Sequence, residues 1–164
     1  MQQFILRFWI GLTELNAMKP NNTAILATNI DKALASKGPV VEAIRTALPN
    51  ALAIYVFGSR SNATARNDSD LDLAVLVAGY APSLLLFDLS GVLEDIVGCA
   101  VDVLDLRATS TVMQYQILQK GRRLWGREPE AGLFEAFVLS EKTALDTARA
   151  GLLADIQRTG SIYG

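Results

Sequence analysis

Hydrophobic positions change period several times along this chain, and each change marks an element. Phe4, Ile5, Phe8, Trp9, Leu12 and Leu15 recur at helical spacing, which predicts an amphipathic N-terminal helix. After Pro20, Asn21, Asn22 and Thr23 offer N-cap side chains to a helix through Ile25, Ile30 and Leu34, stopped by Gly38-Pro39. A second short helix through Val41, Ile44 and Leu48 ends at Pro49-Asn50. Residues 51–57 then form an unbroken apolar run closed by Gly58-Ser59, the pattern of a buried strand delivering a turn. A largely polar stretch, 60–69, leads to a second strand over 71–77.

Gly79 and Pro82 close that strand, and Leu85, Leu86, Leu89, Leu93, Ile96 and Val97 form the apolar stripe of a helix reaching Gly98. Residues 100–106 read as a third strand, 109–120 as a helix ending at Gly121, 123–125 as a short strand, and 133–156 as one long C-terminal helix. On that last helix, Phe134, Phe137, Val138, Leu145, Ala148 and Leu152 share a face expected to join the core, with a partner surface as the other reading. Strands alternating with helices predict an α/β layer domain whose site residues sit at strand ends and in the adjoining turns. Periodicity leaves strand order and direction open.

Composition narrows the class. The 164 residues are 51% hydrophobic and 20% charged, enough apolar material for one domain's core and unlike a disordered chain. Fifteen basic residues against seventeen acidic ones leave a net charge of -2, without the basic excess that a duplex nucleic-acid partner calls for. Cys99 has no second thiol to pair with and lies in an apolar stretch, which predicts a buried structural residue in a reducing cytoplasm. The N-terminal apolar run is interrupted by Arg7 and lacks a lysine-rich start and a small-residue cleavage site, so neither export nor a membrane span is expected. Residues 1–18 read as a helical extension, with Met18 an alternative start, and 19–164 as a single domain. The chain has no histidine, which excludes imidazole triads and the common zinc sites that contain histidine. No GxxxxGK[ST] or GxGxxG loop occurs either, and carboxylate–metal chemistry is left.

The informative stretch is Gly58-Ser59, ten residues, then Asp70-Leu71-Asp72. Asp70 and Asp72 are two apart on a predicted strand, so both project from one face and can converge on a pair of divalent cations. Gly58 permits a sharp turn that exposes backbone amides and the Ser59 hydroxyl to phosphate oxygens, while Arg60 and Arg66 offer positive charge. A further carboxylate is needed to complete the metal ligands or take a proton, and Asp102, between Val101 and Val103, is the candidate. Its apolar neighbours suggest a buried carboxylate compensated by a metal ion. Asp105 has the opposite strand parity and is assigned to a helix cap or the surface; Asp68 is read as a turn residue. Taken singly, a Gly-Ser pair or two aspartates two apart are ordinary turn and surface features.

Together, Gly58-Ser59-x10-Asp70-x-Asp72 resembles the signature of the DNA polymerase β-like nucleotidyltransferase superfamily, and within it the chain is similar to the minimal nucleotidyltransferases, the MNT proteins. The likeness covers residues 25–146, including Val101-Asp102-Val103-Leu104-Asp105-Leu106-Arg107 and Gly121-x-x-Leu124. It implies a small nucleotidyltransferase fold, a mixed β-sheet flanked by helices with a long C-terminal helix. It further implies that Gly58 and Ser59 hold the triphosphate of ATP, that Asp70 and Asp72 ligate two Mg2+ ions, and that Asp102 is the third catalytic and metal-binding carboxylate; of the two loop arginines, Arg60 is the preferred phosphate contact. MNT proteins are often antitoxins of HEPN-domain ribonuclease toxins, and some transfer AMP to a toxin tyrosine, which implies a HEPN partner and an assembly with it. Non-catalytic neutralisation of the toxin, and nucleotidylation of an aminoglycoside-type drug, are the other readings. Asn62 and Ala63 stand where the family commonly has a basic residue and a glycine.

Overall fold

The apolar run at 51–57 has no side suited to water, and the fold covers it on both faces. A computed structural model describes residues 30–61 and 69–159; the N-terminal helix expected over residues 4–15, the cap at 21–23, and Asn62, Ala63, Arg66 and Asp68 lie outside them. Strand β1 (Ala51–Phe57) is flanked by β2 (Leu71–Val77) and β4 (Arg122–Gly126), both antiparallel to it. Strand β3 (Val101–Asp105) pairs in parallel with β2, so the sheet is mixed with order β3-β2-β1-β4.

A parallel neighbour requires a crossover, because a two-residue turn can only reverse the chain. Here the crossover is helix α2 (Ser83–Val97), which ends where Gly98 takes φ 73° and donates its N–H to Glu94 O at 2.8 Å. With α1 (Pro39–Ala47), α2 covers one face of the sheet: Val41, Ile44, Leu89 and Leu93 pack on Ile54, Val56, Leu73 and Val75. The opposite face takes α3 (Thr111–Lys120) and α4 (Glu130–Thr159), whose Ile117, Phe134 and Val138 pack on Tyr55, Ala74 and Leu76. Strands apolar on both sides follow from that double cover.

Element boundaries moved where small or polar residues carry the packing. The third strand stops at Asp105, and a 3-10 turn over Leu106–Ala108 follows, held by the buried Gln114 side chain, which donates to Leu106 O at 3.1 Å and Thr109 O at 3.2 Å. Helix α4 begins at Glu130 rather than 133, because its first buried residue is Ala131, with no exposed Cβ, while Leu133 is 66% exposed. Only Phe134 and Val138 of the expected core face are buried; Phe137 is 56% exposed, Leu145 is half-buried and Ala148 is exposed. The Leu152 side chain is outside the described set. Cys99 is half-buried, not buried, and packs against the core edge, where desolvation pushes its thiol above the ordinary range. Among the described residues, no helix is long and apolar enough to cross a membrane.

Tyr55 ties the sheet to α4. Its hydroxyl donates to Glu135 Oε1 at 2.8 Å, and Arg123 reaches the same carboxylate at 3.2 Å and Glu128 at 2.8 Å. Burial, then the hydrogen bond and charge of Glu135, raise the phenol's pKa. The folded state therefore keeps this proton where the unfolded chain has lost it: the stabilisation is complete below the ordinary tyrosine value of 10.0 and is lost as pH rises beyond it. Alkaline titration of unfolding should show that decline, and Tyr55→Phe should flatten it; an unchanged slope contradicts the assignment. In urea unfolding, Leu93→Ala at a fully buried position is expected to cost about 2–5 kcal/mol. On the same helix Phe87→Ala, 76% exposed, should change stability by less than about 0.5 kcal/mol.

Candidate active site

Strand β1 delivers its turn at the end of the sheet where β2 and β3 begin. Phe57 lies opposite Asp72 in the antiparallel pair, and Asp72 lies beside Asp102 in the parallel pair. Strand alternation puts Asp72 and Asp102 on the face that carries Ala74, Leu76 and α3, but at the sheet's end, beyond the apolar contacts. Asp70 precedes β2 with the same parity and is exposed.

Gly58 has φ +71°, and a Cβ there would overlap the Asp72 carboxylate. Both the left-handed backbone and the contact demand glycine. Residues Gly58–Ser61 form one 3-10 turn, in which Ser61 Oγ donates to Gly58 O at 2.8 Å.

Arg60, the expected phosphate contact, is engaged with backbone carbonyls in this structure. Its Nε donates to Ser69 O at 2.9 Å and to Asp70 O at 3.2 Å, and Nη2 also reaches Ser69 O. The guanidinium thus ties the turn to the residues just before β2 and holds the backbone of Asp70, a positioning task that the sequence pattern did not suggest. Asp105 also resolves: at 5% exposure it is buried rather than superficial, and it accepts the N–H groups of Ala81 and Arg107, each at 2.9 Å. It caps the 3-10 turn after β3, as one of its two expected roles required.

Asp102 is exposed, against the expectation of a buried carboxylate between valines. β3 is an edge strand, and Val101 and Val103 project to the opposite face, where Val101 is buried and Val103 half-buried. The flanking valines therefore report the core under the sheet and not the surroundings of Asp102. Asp72 is half-buried; desolvation, then the charges of Asp102 and Asp70, raise its pKa. Among the described residues, no three acidic side chains are already drawn tightly enough to enclose a cation. Asp70, Asp72 and Asp102 form an open rim of mutually repelling carboxylates, a donor set that a divalent cation fits by cancelling the repulsion.

Beside this rim lies a cleft of about 300 Å³ lined by Phe57, Gly58, Ser59, Met113, Gln116, Ile117 and Lys120. Gly58 is shared: one side meets the cleft and the other the Asp72 carboxylate. Met113, Gln116, Ile117 and Lys120 share one face of α3 at helical spacing. That spacing was visible in the sequence; the placement of this face against Gly58-Ser59 was not.

Residues 41–130 match the family described as polymerase beta, nucleotidyltransferase. The chain belongs to that family. Gly58, Ser59, Asp70, Asp72 and Asp102 all fall inside the match, as does α3, while most of α4 lies beyond it. The protein adenylyltransferase MntA of Shewanella oneidensis is 31% identical over 121 residues, covering 74% of this chain and 87% of the relative. Among solved structures, a toxin–antitoxin crystal structure with AMP-PNP is 31% identical with a TM-score of 0.64, covering 72% of this chain and 95% of that one. A tri-AMPylated Shewanella oneidensis HEPN toxin in complex with its MNT antitoxin matches at 28% identity and a TM-score of 0.59, covering 73% and 93%. The chain as a whole is thus a nucleotidyltransferase similar to MntA and to the MNT antitoxin of these complexes.

Gly58→Ala should destabilise this nucleotidyltransferase by at least about 1 kcal/mol, from the left-handed backbone and the overlap with Asp72. Combining it with Asp72→Ala should recover more than about 0.5 kcal/mol of that loss in a double-mutant cycle. Strict additivity would show that the two residues are not in contact.

Proposed function

We propose that this nucleotidyltransferase is an antitoxin that transfers AMP from ATP to a tyrosine hydroxyl of a cognate HEPN-domain ribonuclease toxin. The observation that carries the reading is the shared Gly58 wall, which joins the phosphate-binding type of turn to the Asp72–Asp102 pair. The likeness to MntA and to the MNT–HEPN complexes supports the acceptor class. Residues 19–164 are read as the catalytic domain, residues 1–18 as an extension, and the setting as cytoplasmic.

In this reading the Gly58-Ser59 amides and the Ser59 hydroxyl hold the triphosphate. Asp70, Asp72 and Asp102 hold two magnesium ions, which when bound supply charge stabilisation to the attacking and leaving oxygens of an in-line displacement. The tyrosine oxygen bonds to the α-phosphorus as the bond from that phosphorus to the bridging oxygen breaks, and pyrophosphate leaves. Asp102 receives the hydroxyl proton; its exposure on an edge strand lets a hydroxyl carried by another protein approach. Arg60 keeps Asp70 in place through the Ser69 and Asp70 carbonyls.

Non-catalytic neutralisation is the second reading, favoured by Asn62 and Ala63 between the turn and Asp70 in the sequence. The two are separated by incubating the protein with α-labelled ATP, magnesium and the product of its neighbouring gene, then weighing the intact partner. Addition of one or more AMP units is expected, abolished by Asp70→Ala with Asp72→Ala and by chelation, and restored when magnesium is returned. A tight complex that silences the toxin without any mass gain would replace catalysis with binding.

A further inference from the structure

Lys120 occupies the last turn of α3, and its position is set by the glycine after it. A Cβ on Gly121 would lie 2.5 Å from Ile117 O, 2.7 Å from Val56 O and 3.3 Å from Phe57 Cβ. Only glycine lets the helix end close on the strand end, and this closure carries Lys120 to the cleft that Gly58 and Ser59 wall on the other side. Phe57, Met113 and Ile117 give that cleft an apolar side, while Ser59, Gln116 and Lys120 give it a polar one.

The charge pattern sorts the bases near the turn. The Arg60 guanidinium donates to the Ser69 and Asp70 carbonyls. Lys120 is exposed and enters no ion pair with a described residue. An ammonium on a flexible stem at the mouth of a cleft of about 300 Å³ suits a polyanion with an apolar end, and an intact nucleoside triphosphate has both.

We propose that the α3 cleft seats the donor nucleotide, with Lys120 anchoring its triphosphate and the Phe57, Met113 and Ile117 side receiving the base. The proposal rests on the nucleotide-donor reading and adds to it a residue outside the Gly-Ser and aspartate pattern. Lys120 takes over the phosphate contact first expected of Arg60, and Gly121 acts as its positioning residue.

Calorimetric titration with magnesium and α,β-methylene-ATP, which cannot be cleaved between the α- and β-phosphorus, tests it without turnover. Lys120→Ala is expected to weaken binding about tenfold, the scale of one charge-assisted contact. Lys120→Arg should stay within about threefold of the parent, and AMP should bind the parent and Lys120→Ala alike, since it lacks the β- and γ-phosphates. Circular dichroism of the variants checks that this exposed position leaves the fold intact. Equal affinity of Lys120→Ala and parent for the analogue overturns the anchoring role alone, as does an equal loss for AMP and analogue. A parent protein that binds no analogue with magnesium overturns the nucleotide-donor reading as well.

Discussion

Parallel pairing of β2 with β3 is the constraint on which the site depends, because its register sets Asp72 beside Asp102. Partial burial raises the Asp72 pKa, and the repulsion between like charges at adjacent strand positions raises it further. The same pairing demands the α2 crossover, which covers one sheet face and leaves the other to α3 and α4. Core architecture and carboxylate geometry are therefore two results of one connection.

The antiparallel side contributes the turn. β1 runs toward the carboxylates and ends at Phe57, followed by Gly58, whose missing Cβ makes room for the Asp72 carboxylate. Gly121 does the same for the end of α3 against Val56 and Phe57. Two glycines thus permit three chain segments to meet at one end of the sheet, where a side chain at either position would hold them apart. Arg60 adds a further tie between the Gly58–Ser61 turn and the start of β2, through the Ser69 and Asp70 carbonyls.

Helix α4 has a divided character. At 1.5 Å per residue its thirty residues span about 45 Å, about twice the length of a seven-residue strand. Ala131, Phe134 and Val138 dock it on the core, and among the described side chains none beyond Val138 is buried. Its first turns belong to the domain and its later turns to the surface, which is why a single apolar stripe gave an ambiguous reading: periodicity reports that a helix has an apolar face without reporting how much domain there is to meet it.

Much of the site was legible from local pattern. The strand at 51–57, the Gly58-Ser59 turn, the common parity of Asp70 and Asp72, and the placing of Asp102 on their face with Asp105 turned away all follow from a two-residue alternation and from residues whose backbone or side-chain chemistry acts within a few positions. What the sequence left open depends on which distant segments become neighbours. β3 beside β2 in parallel, Asp102 exposed on an edge, Arg60 turned onto carbonyls and Lys120 brought to the Gly58 cleft are each decided by contacts between residues far apart in the chain. Local periodicity fixes which face of an element is apolar, whereas only the packing of those faces in three dimensions fixes what each polar residue at their margins can reach.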